Sequence, residues 1–261
     1  MTFVKALARS LGIKPRRILR SFPAMVWYLR SRRRFRTLAV EARLSMPLCA
    51  APVLHDRYAA GGVAKGHYFH QDLLVARRIH ERKPRRHIDF GSRVDGFVAH
   101  VAAFRRIEFY DYRPVHEVIP NMVFRQADIT RLDAETVGLA DSVSSLHVVE
   151  HIGLGRYGDD LNPRGHEEAI EALKNVVEPG GILYLSLPIG KERVEFNAHR
   201  VFDPRTIIEL TRPDMDLERF SFVDDNGRLH ENVFQTDGGE DWDTLSQLDY
   251  GCGIFELRKI T

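Results

Sequence analysis

The sequence predicts an α/β fold, a doubly wound and mostly parallel sheet, preceded by a basic helical extension at the N-terminus. Two observations carry this prediction. From residue 83 onward, apolar segments typical of strands alternate with segments of helical periodicity, as expected where crossover helices connect parallel strands. Residues 1–40 instead contain 11 of the 38 Lys and Arg residues and no Asp or Glu. We therefore divide the chain into a basic arm at 1–40, a helical lead-in and lid at 41–82, and an α/β domain at 83–261.

Length and composition exclude several classes of protein. The 261 residues, 44% of them hydrophobic, are enough to bury one sizeable core, and wholesale disorder, collagen-like repeats and coiled-coil rods are excluded. The apolar run 22–29 is far shorter than the roughly 20 residues of a membrane-spanning helix, and no signal peptide is predicted. Cys49 and Cys252 match no metal or redox spacing, so a reducing, cytoplasmic compartment is expected.

The basic arm has three open interpretations. Its aromatic and apolar residues, interleaved with cations, favour attachment of residues 1–36 to an anionic membrane surface, where each cation contributes on the order of 1 kcal/mol. The arm could instead dock on the rest of the chain, which holds all 36 acidic residues. It could also bind a polyanion, although no specific nucleic acid is expected, because recognition motifs are missing. Pro15 and Pro23 should break the arm into short helical pieces.

Predicted strands and helices alternate after a connector at 41–66 and a helix over 71–82. The predicted strands are 87–90, 106–110, 122–125, 142–147, 181–187, 217–223 and 253–260. The predicted helices are 96–103, 131–137, 165–177 and 204–210, and residues 224–250 are predicted as a long surface loop.

The first predicted strand runs into a loop with a glycine at each end. Gly91 and Gly96 bracket this loop, which opens a helix, and Asp111 ends the second strand. A glycine lets the chain turn tightly beneath a ligand, and an acid on the next strand can accept both ribose hydroxyl hydrogens. The pattern predicts a nucleoside site; an ordinary strand-to-helix turn is the alternative.

The residue in the middle of this loop narrows the choice of ligand. Dinucleotide-binding loops have a glycine where this chain has the bulky Arg93, because the backbone there touches the pyrophosphate. S-adenosylmethionine has no pyrophosphate, and Asp89 and Asp95 beside the turn suit its sulfonium cation. We therefore predict S-adenosylmethionine as the cofactor. The loop residues predicted to bind it are Asp89, Gly91, Ser92, Arg93 and Gly96.

A third acid follows the third predicted strand. Asp128 can accept a hydrogen bond from the adenine amino group while Ile129 packs on the ring; an N-cap is the alternative role for Asp128. Three acids at the carboxyl ends of successive strands would surround one crevice. Asp111, Asp128, Ile129 and His147 complete the predicted cofactor site.

These residues resemble the motifs of the class I S-adenosylmethionine-dependent methyltransferases. Residues 89–91 with Gly96 look like a divergent first motif, and Asp111 and Asp128 match the ribose and adenine acids. Residues 141–152 resemble the fourth strand with its Glu-His pair, and residues 178–183 resemble the turn into the fifth strand. The resemblance implies a Rossmann-like sheet of seven strands, closed by an antiparallel pair.

Four further segments, 66–72, 91–97, 151–159 and 196–200, resemble a family of uncharacterised methyltransferase-like proteins associated in bacteria with surface-polysaccharide biosynthesis. This resemblance implies O-methylation of a saccharide or glycolipid precursor at the cytoplasmic face of the membrane. Arg93 replaces a glycine of the broad family. A nucleotide-sugar or metal-dependent enzyme, and a non-catalytic membrane-associated protein, are therefore kept as alternatives.

Histidines beyond the fourth and fifth strands are candidates for the general base. Methyl transfer to a hydroxyl needs in-line positioning and a group that removes the acceptor proton, which histidine does near neutral pH. A backbone hydrogen bond for His151, a pocket-lining role for His147 and an ion pair with Glu195 for His199 are the alternatives. The predicted catalytic residues are His147, Glu150, His151 and His199.

Loops over the same strand ends are expected to bind the acceptor. Arginine suits acidic or phosphate groups on a sugar, whereas salt bridges within the loop are the alternative. The histidines near residue 70 precede the first strand and are expected to fold over the cofactor as a lid. The predicted acceptor-binding residues are His67, Tyr68, His70, Arg156, Tyr157, Asp159 and Arg200.

Residues 147–151 also read His-x-x-Glu-His, the pattern of zinc-peptidase helices. Here the pattern follows a strand within a nucleoside-binding alternation, so no metal site is predicted. A metal held by His147, His151 and His199 stays an open alternative, because neutral imidazoles can bind zinc. The oligomeric state is left open.

Overall fold

A computed structural model of the protein describes residues 15–233 and 241–261. The chain divides into two compact units, Met1–Val63 and Ala64–Thr261. This division differs from the predicted boundaries after residues 40 and 82. The reason is that the helix His67–Arg82 buries Val75 and Ile79 in the core of the second unit, so it belongs to the α/β body.

The first unit is built on α1 (Pro15–Glu41), a single helix of 27 residues. The predicted break at Pro23 is wrong: proline costs a backbone hydrogen bond, but its φ is helical, and the helix continues on both sides. A short 3₁₀ turn follows at Asp56–Tyr58, and the Arg57 guanidinium lies 4.5 Å from the centre of the Trp27 ring. Within residues 15–233 and 241–261, no helix is long and apolar enough to cross a membrane.

The second unit contains one large mixed sheet, in the order β3-β2-β1-β4-β5-β10-β8-β9. Strands β1 to β5 run parallel, and β10 is antiparallel to β5 and β8. The predicted fold class and its closing antiparallel pair are confirmed, with β9 as an additional short edge strand; β6 and β7 pair separately. The strand bounds are β1 (His87–Phe90), β2 (Ile107–Asp111), β3 (Met122–Gln126), β4 (Ala140–Leu146), β5 (Val177–Ile189), β6 (Arg193–Glu195), β7 (His199–Val201), β8 (Met215–Val223), β9 (Leu229–His230) and β10 (Gly251–Lys259).

Helices cover both faces of this sheet. One apolar core joins Ile79, Phe97 and Leu146, and the other joins Ile88 and Leu173. Neighbouring residues of β5 alternate between the two cores, as expected for a strand buried on both faces. The helices are α2 (His67–Arg82), α3 (Ala99–Ala102, after a π-helical turn at Val94–Val98), α4 (Gly165–Val176), α5 (Pro204–Thr211) and α6 (Trp242–Leu245).

Three predicted segments differ from the structure. The predicted helix 131–137 is replaced by two 3₁₀ turns, Ile129–Arg131 and Ala134–Thr136, because the backbone is extended at Leu132 (φ −73°, ψ 142°) and interrupts the helix. The predicted loop 224–250 contains β9 and α6; its residues 234–240 lie outside the described residues. Strand β5 begins before the predicted Pro-Gly-Gly turn, since Val177 already pairs with Ala140.

Candidate functional site

An open cleft lies at the carboxyl ends of β1 to β4. Ligands of open parallel sheets bind at this edge, where the strand order reverses between β1 and β4. The predicted residues that line the cleft are Gly91, Asp111, Asp128, Ile129, His147, His151, Tyr157 and Asp159. Lining residues that the sequence analysis missed include Phe90, Tyr110, Arg113, Thr130 and Val148.

Gly91 borders the cleft at the end of β1. Its φ of 73° lies in the left-handed region, and its N–H donates to the Tyr110 carbonyl over 2.7 Å. A Cβ at this position would come within 2.7 Å of Val148 Cγ1. A side chain would therefore both strain the backbone and fill space beside the cleft, so this turn requires glycine.

Asp89 is fully buried and does not line the cleft. Its carboxylate accepts hydrogen bonds from the Ser92 N–H at 3.0 Å, the Ser92 hydroxyl at 2.6 Å and the Ser144 hydroxyl at 2.5 Å. Burial raises the pKa of Asp89 to about 7, although these hydrogen bonds oppose the rise. The predicted cofactor role of Asp89 and Ser92 is corrected, because both side chains tie the loop after β1 to β4.

Arg93 and Gly96 also lie outside the cleft lining. Arg93 donates to both oxygens of Asp95, at 2.8 and 3.1 Å, and its guanidinium lies 5.0 Å from the Tyr68 ring centre. A Cβ on Gly96 would meet Asp72 Oδ2 at 2.5 Å, so this glycine serves packing. The predicted attraction of Asp95 for a sulfonium is corrected as well, since Arg93 neutralises it.

Asp111 borders the cleft at the end of β2 and is nearly buried. It accepts three hydrogen bonds from Arg113: from N–H at 2.8 Å, Nε at 3.0 Å and Nη2 at 2.9 Å. The Arg113 side chain is half exposed. A ligand hydroxyl that bound Asp111 would have to replace the guanidinium, whose exposed position leaves it room to move into solvent.

Asp128 caps the turn after β3, as its alternative interpretation predicted. Its Oδ1 accepts from the Thr130 N–H at 2.9 Å and from the Thr130 hydroxyl at 2.7 Å, while Oδ2 lies 3.9 Å from Arg131 Nε. Capping therefore engages Oδ1 and leaves Oδ2 as the oxygen able to accept from a ligand. Ile129 is buried beside it and lines the cleft.

His147 and Glu150 form a buried pair beyond β4, with 2.6 Å between Nδ1 and Oε1. Burial alone would lower the pKa of His147, but Cys252 and Glu150 outweigh it and raise that pKa well above its ordinary value. Burial would likewise raise the pKa of Glu150, but His147 lowers it below its ordinary value. His147 has a φ of 56°, a strained conformation that is often found at functional sites.

His151 lines the cleft, and its Nδ1 has two neighbours. The Ala198 carbonyl lies 2.7 Å away, and Arg156 Nη1, which donates to the same carbonyl, lies 3.3 Å away. We assign the proton to Nδ1 because the carbonyl, which can only accept, is the nearer neighbour. Burial lowers the pKa of His151, and the neighbouring Glu150 carboxylate, 3.6 Å from Nε2, does not reverse this. The ring is therefore neutral at pH 7 with its lone pair on Nε2, which is the arrangement a general base needs.

His199 lies beside the cleft and is not among its lining residues. Its ring centre is 4.9 Å from that of Tyr250 and 6.5 Å from that of His151. Burial lowers the pKa of His199. Among the residues that the structure describes, His199 Nε2 and Glu150 Oε2 are buried without a hydrogen-bond partner. His199 Nε2 lies 3.6 Å from Glu195 Oε2, as its alternative role predicted. A buried atom without a partner costs about 1–3 kcal/mol, so Glu150 Oε2 is suited to receive a polar ligand.

The predicted lid residues open α2 and contact His147 instead of lining the cleft. The ring centres of His67 and Tyr68 lie 5.1 and 5.0 Å from that of His147. His67 Nε2 also contacts the Tyr250 carbonyl at 3.1 Å, whereas the ring of His70 packs edge-on against Phe69. The predicted contact of this lid with the cofactor is corrected, since α2 is held in the core of the second unit.

The loop after β4 is held largely by its own polar contacts. Arg200 is buried and donates to the Ile152 carbonyl at 2.7 Å, and burial lowers its pKa. Asp159 accepts from the Gly153 N–H at 2.8 Å. The predicted acceptor role of Arg200 is corrected, because its guanidinium is directed to backbone carbonyls. Tyr157, 40% exposed at the cleft, keeps a surface for an acceptor.

Comparison with known proteins gives one family match over part of the chain. The family described as "Caenorhabditis protein of unknown function, DUF268" matches residues 124–225. No curated protein matches the sequence. The matched segment runs from β3 to just beyond β8 and includes the histidines after β4.

Several solved structures resemble this chain at low identity. N-methyltransferase NodS from Bradyrhizobium japonicum WM9, in complex with S-adenosyl-l-homocysteine, is 13% identical over 74% of this chain and 88% of that chain, with a TM-score of 0.48. The [4+2]-cyclase SpnF is 15% identical over 73% and 82%, with a TM-score of 0.49. The 1,6-didemethyltoxoflavin-N1-methyltransferase of Burkholderia thailandensis is 13% identical over 73% and 79%, with a TM-score of 0.47.

Proposed function

We propose that this protein is an S-adenosylmethionine-dependent methyltransferase that acts on a hydroxyl group of a saccharide or glycolipid precursor at the cytoplasmic face of a membrane. The observation that carries the proposal is the cleft at the carboxyl ends of β1 to β4. There a required glycine, two carboxylates and a neutral histidine line one space.

The cleft residues fit an adenosyl sulfonium cofactor. Gly91 lets the chain turn at the cleft, where a side chain would collide with Val148. Asp111 would accept the ribose hydroxyls once the exposed Arg113 yields, and Asp128 Oδ2 would accept from the adenine amino group. Ile129 offers an apolar surface to the ring. When bound, the cofactor supplies an already activated methyl group, so the main task of the protein is positioning, which can contribute roughly 7–11 kcal/mol.

His151 is the general base of this proposal. Its Nε2 holds a lone pair at neutral pH, because Nδ1 donates to the Ala198 carbonyl and burial keeps the ring uncharged. Nε2 would take the proton of an acceptor hydroxyl as the bond between the methyl group and the cofactor sulfur breaks, with S-adenosylhomocysteine as the leaving group. His147 is less suited to this task, since both of its ring nitrogens already face partners in Glu150 and His67.

The acceptor class is proposed from the surface beside His151. Tyr157 lies between two arginines, with the guanidinium of Arg113 at 4.6 Å and that of Arg156 at 5.2 Å from its ring centre. An aromatic ring flanked by guanidinium groups suits a sugar that carries acidic or phosphate groups. The predicted role of Arg156 and Tyr157 in acceptor binding is kept on this basis.

Membrane attachment is proposed for the first unit. In α1, Phe22 and Leu29 are 82% and 56% exposed, and the same helix carries Arg30, Arg33 and Arg34 without an acid before Glu41. Exposed apolar residues beside clustered cations are suited to the interface of an anionic bilayer.

Calorimetry with S-adenosylmethionine and S-adenosylhomocysteine tests the cofactor. The parent protein should bind in the micromolar range, and Asp111→Ala and Asp128→Ala should each weaken binding by about 1–3 kcal/mol, because a ligand polar group loses its partner. Asp95→Ala, outside the cleft, is the matched control and should leave binding unchanged. Absence of binding to the parent would contradict the proposal.

Two further measurements test the base and the arm. His151→Ala should lower the rate of S-adenosylhomocysteine formation with phosphorylated or acidic saccharides about 10²–10⁴-fold. Cofactor binding should be retained, and His100→Ala is the control.

Deletion of residues 1–36 should abolish sedimentation with anionic vesicles, and the parent should not sediment with neutral ones. Unchanged sedimentation of the deletion variant would reject the membrane assignment.

A further inference from the structure

Three residues from distant parts of the chain converge beside the cleft. His67 begins α2, His147 follows β4, and Cys252 lies in β10. Each offers one ligand atom, and these three atoms lie within 4.8 Å of one another. His147 and Cys252 are buried, and His67 is partly buried. The spacing of these residues in the sequence does not predict the cluster, because they are separated by the length of the domain.

The inner nitrogens of the two histidines, His67 Nδ1 and His147 Nε2, lie 3.1 Å apart. His147 Nδ1 lies 2.6 Å from Glu150, and His67 Nε2 lies 3.1 Å from the Tyr250 carbonyl. Both of these partners are acceptors, so each outer nitrogen carries a proton. In metal-free protein the inner nitrogens share one further proton, which the raised pKa of His147 places on Nε2. A metal ion bound in place of this proton would meet one lone pair on each ring.

The contacts of the outer ring nitrogens, His147 Nδ1 and His67 Nε2, are typical of a metal site. Histidines that bind metals almost always donate their second ring N–H to a carboxylate or a backbone carbonyl, which fixes the tautomer and orients the ring. Glu150 and the Tyr250 carbonyl provide one partner of each kind. The 3.1 Å between the inner nitrogens is close to the roughly 3.3 Å that separates two imidazole ligands on tetrahedral zinc with bonds of about 2.0–2.1 Å.

We propose that His67 Nδ1, His147 Nε2 and Cys252 Sγ bind a divalent metal ion of the zinc class, with a fourth coordination position left for water or substrate. Two imidazoles and a thiolate favour zinc over magnesium or calcium, which prefer oxygen ligands. This site goes beyond the proposed methyl transfer and does not depend on it. It also differs from the alternative weighed from the sequence, which used His151 and His199.

The charges around the site are compatible with burial of a dication. Binding forms bonds from the metal to His67 Nδ1, His147 Nε2 and Cys252 Sγ, and it releases to solvent the Cys252 thiol proton and the proton shared by the two rings. The metal, the thiolate and the Glu150 carboxylate then sum to zero, so no net charge is buried. Gln71 Oε1, 3.7 Å from Sγ, loses the weak thiol donor but still accepts from the Ser186 hydroxyl at 2.6 Å.

The test uses the full-length protein, stripped with a chelator and titrated with Zn²⁺ by calorimetry and with Co²⁺ by absorption spectroscopy. We expect one equivalent of Zn²⁺ to bind, and the Co²⁺ form to show intense tetrahedral d–d bands and a thiolate-to-cobalt charge-transfer band. Cys252→Ser should remove the charge-transfer band, and Cys49→Ser, which alters the other cysteine, should keep it. His67→Ala should weaken Zn²⁺ binding at least tenfold, whereas His70→Ala on the same helix should not.

Circular dichroism of each variant shows whether it is folded. If the buried Cys252→Ser fails to fold, His67→Ala and the spectrum of the parent still decide the question. Failure of the parent to bind Zn²⁺, or a parent Co²⁺ spectrum without the charge-transfer band, would overturn the proposal and leave a shared proton between the rings. Calorimetry with S-adenosylmethionine on the metal-free parent separates this outcome from failure of the proposed methyltransferase function.

Discussion

Two buried glutamates are accommodated differently in two regions of the second unit. Glu256, in β10, is surrounded by arginines: its oxygens lie 3.0 Å from Arg78 Nε, 3.2 Å from Arg82 Nη2 and 3.6 Å from Arg219 Nη1. Glu150, beside the cleft, contacts the titratable His147 through Oε1, while its buried Oε2 has no hydrogen-bond partner among the described residues.

The comparison separates a structural carboxylate from one placed for function. Arginines stay charged at all physiological pH values and engage both oxygens of Glu256, so that region is stable but chemically inert. Histidines can gain or lose a proton or bind a metal. The unpartnered oxygen of Glu150 costs stability, and this cost is tolerated at sites that bind ligands.

Substitution of each glutamate by glutamine tests the difference between the two environments. Glu256→Gln should lower the free energy of unfolding by about 3 kcal/mol, the low end for breaking a buried ion pair, because its arginines retain some exposure to water. Glu150→Gln should cost less than Glu256→Gln in metal-free protein, because the amide oxygen still accepts from His147 Nδ1 and because His147, unlike an arginine, can lose its extra proton and become neutral. Urea unfolding of both variants measures this. Equal losses would show that the two glutamates are equivalent.

Asp89 is a third buried carboxylate, and its partners are two hydroxyls and a backbone N–H instead of cations. Its pKa is raised from 3.8 to about 7 by burial, so the folded state retains the proton between about pH 4 and pH 7 while the unfolded state loses it. The stability from this group is full below pH 4 and is lost as pH rises through 7. Its slope is at most about 1.4 kcal/mol per pH unit.

Urea unfolding of the parent and of Asp89→Asn from pH 4 to pH 8 checks this slope. The difference in unfolding free energy, parent minus variant, should decrease across the window and level off above pH 7. Asp95→Asn is the control, because Arg93 lowers the pKa of Asp95 and moves its titration to more acidic pH. A parent-minus-variant difference that does not change with pH would contradict the assignment.

The Asp111–Arg113 pair at the cleft should be less sensitive to substitution. Arg113→Ala should lower the free energy of unfolding by about 1 kcal/mol, because the backbone N–H at position 113 still donates to Asp111 after the guanidinium is removed. It should not weaken binding of S-adenosylmethionine, since it leaves Asp111 available. Calorimetry on this variant beside Asp111→Ala distinguishes the two side chains. Equal losses of affinity would mean that Arg113 itself holds the ligand.

The fold was largely predictable because its signals are local. Strand β1 was predicted with its observed bounds, and α4 and β4 were predicted within two residues, since periodicity and turn residues act over a few positions. The helix expected over 131–137 does not form, because the extended backbone at Leu132 separates two 3₁₀ turns. Periodicity alone did not predict that interruption.

The candidate site was predictable only in part. The ends of β2 and β3 place Asp111 and Asp128 at the cleft, as the strand pattern predicted. Asp89 has the same type of side chain and lies near the end of its strand, but it faces serines in the interior. Sequence position tells where a strand ends, but the direction of a side chain at that end depends on the neighbours that pack against it.

By itself, the sequence determined the alternation of strands and helices, the basic character of the first forty residues, and the edge of the sheet where a ligand would bind. Tertiary structure decided which carboxylates are neutralised, which are buried with hydroxyls, and which remain beside the cleft. It alone brought His67, His147 and Cys252 together. The physical reason is that backbone periodicity is a property of neighbouring residues, whereas charge compensation and ligand geometry arise between residues that only folding makes adjacent.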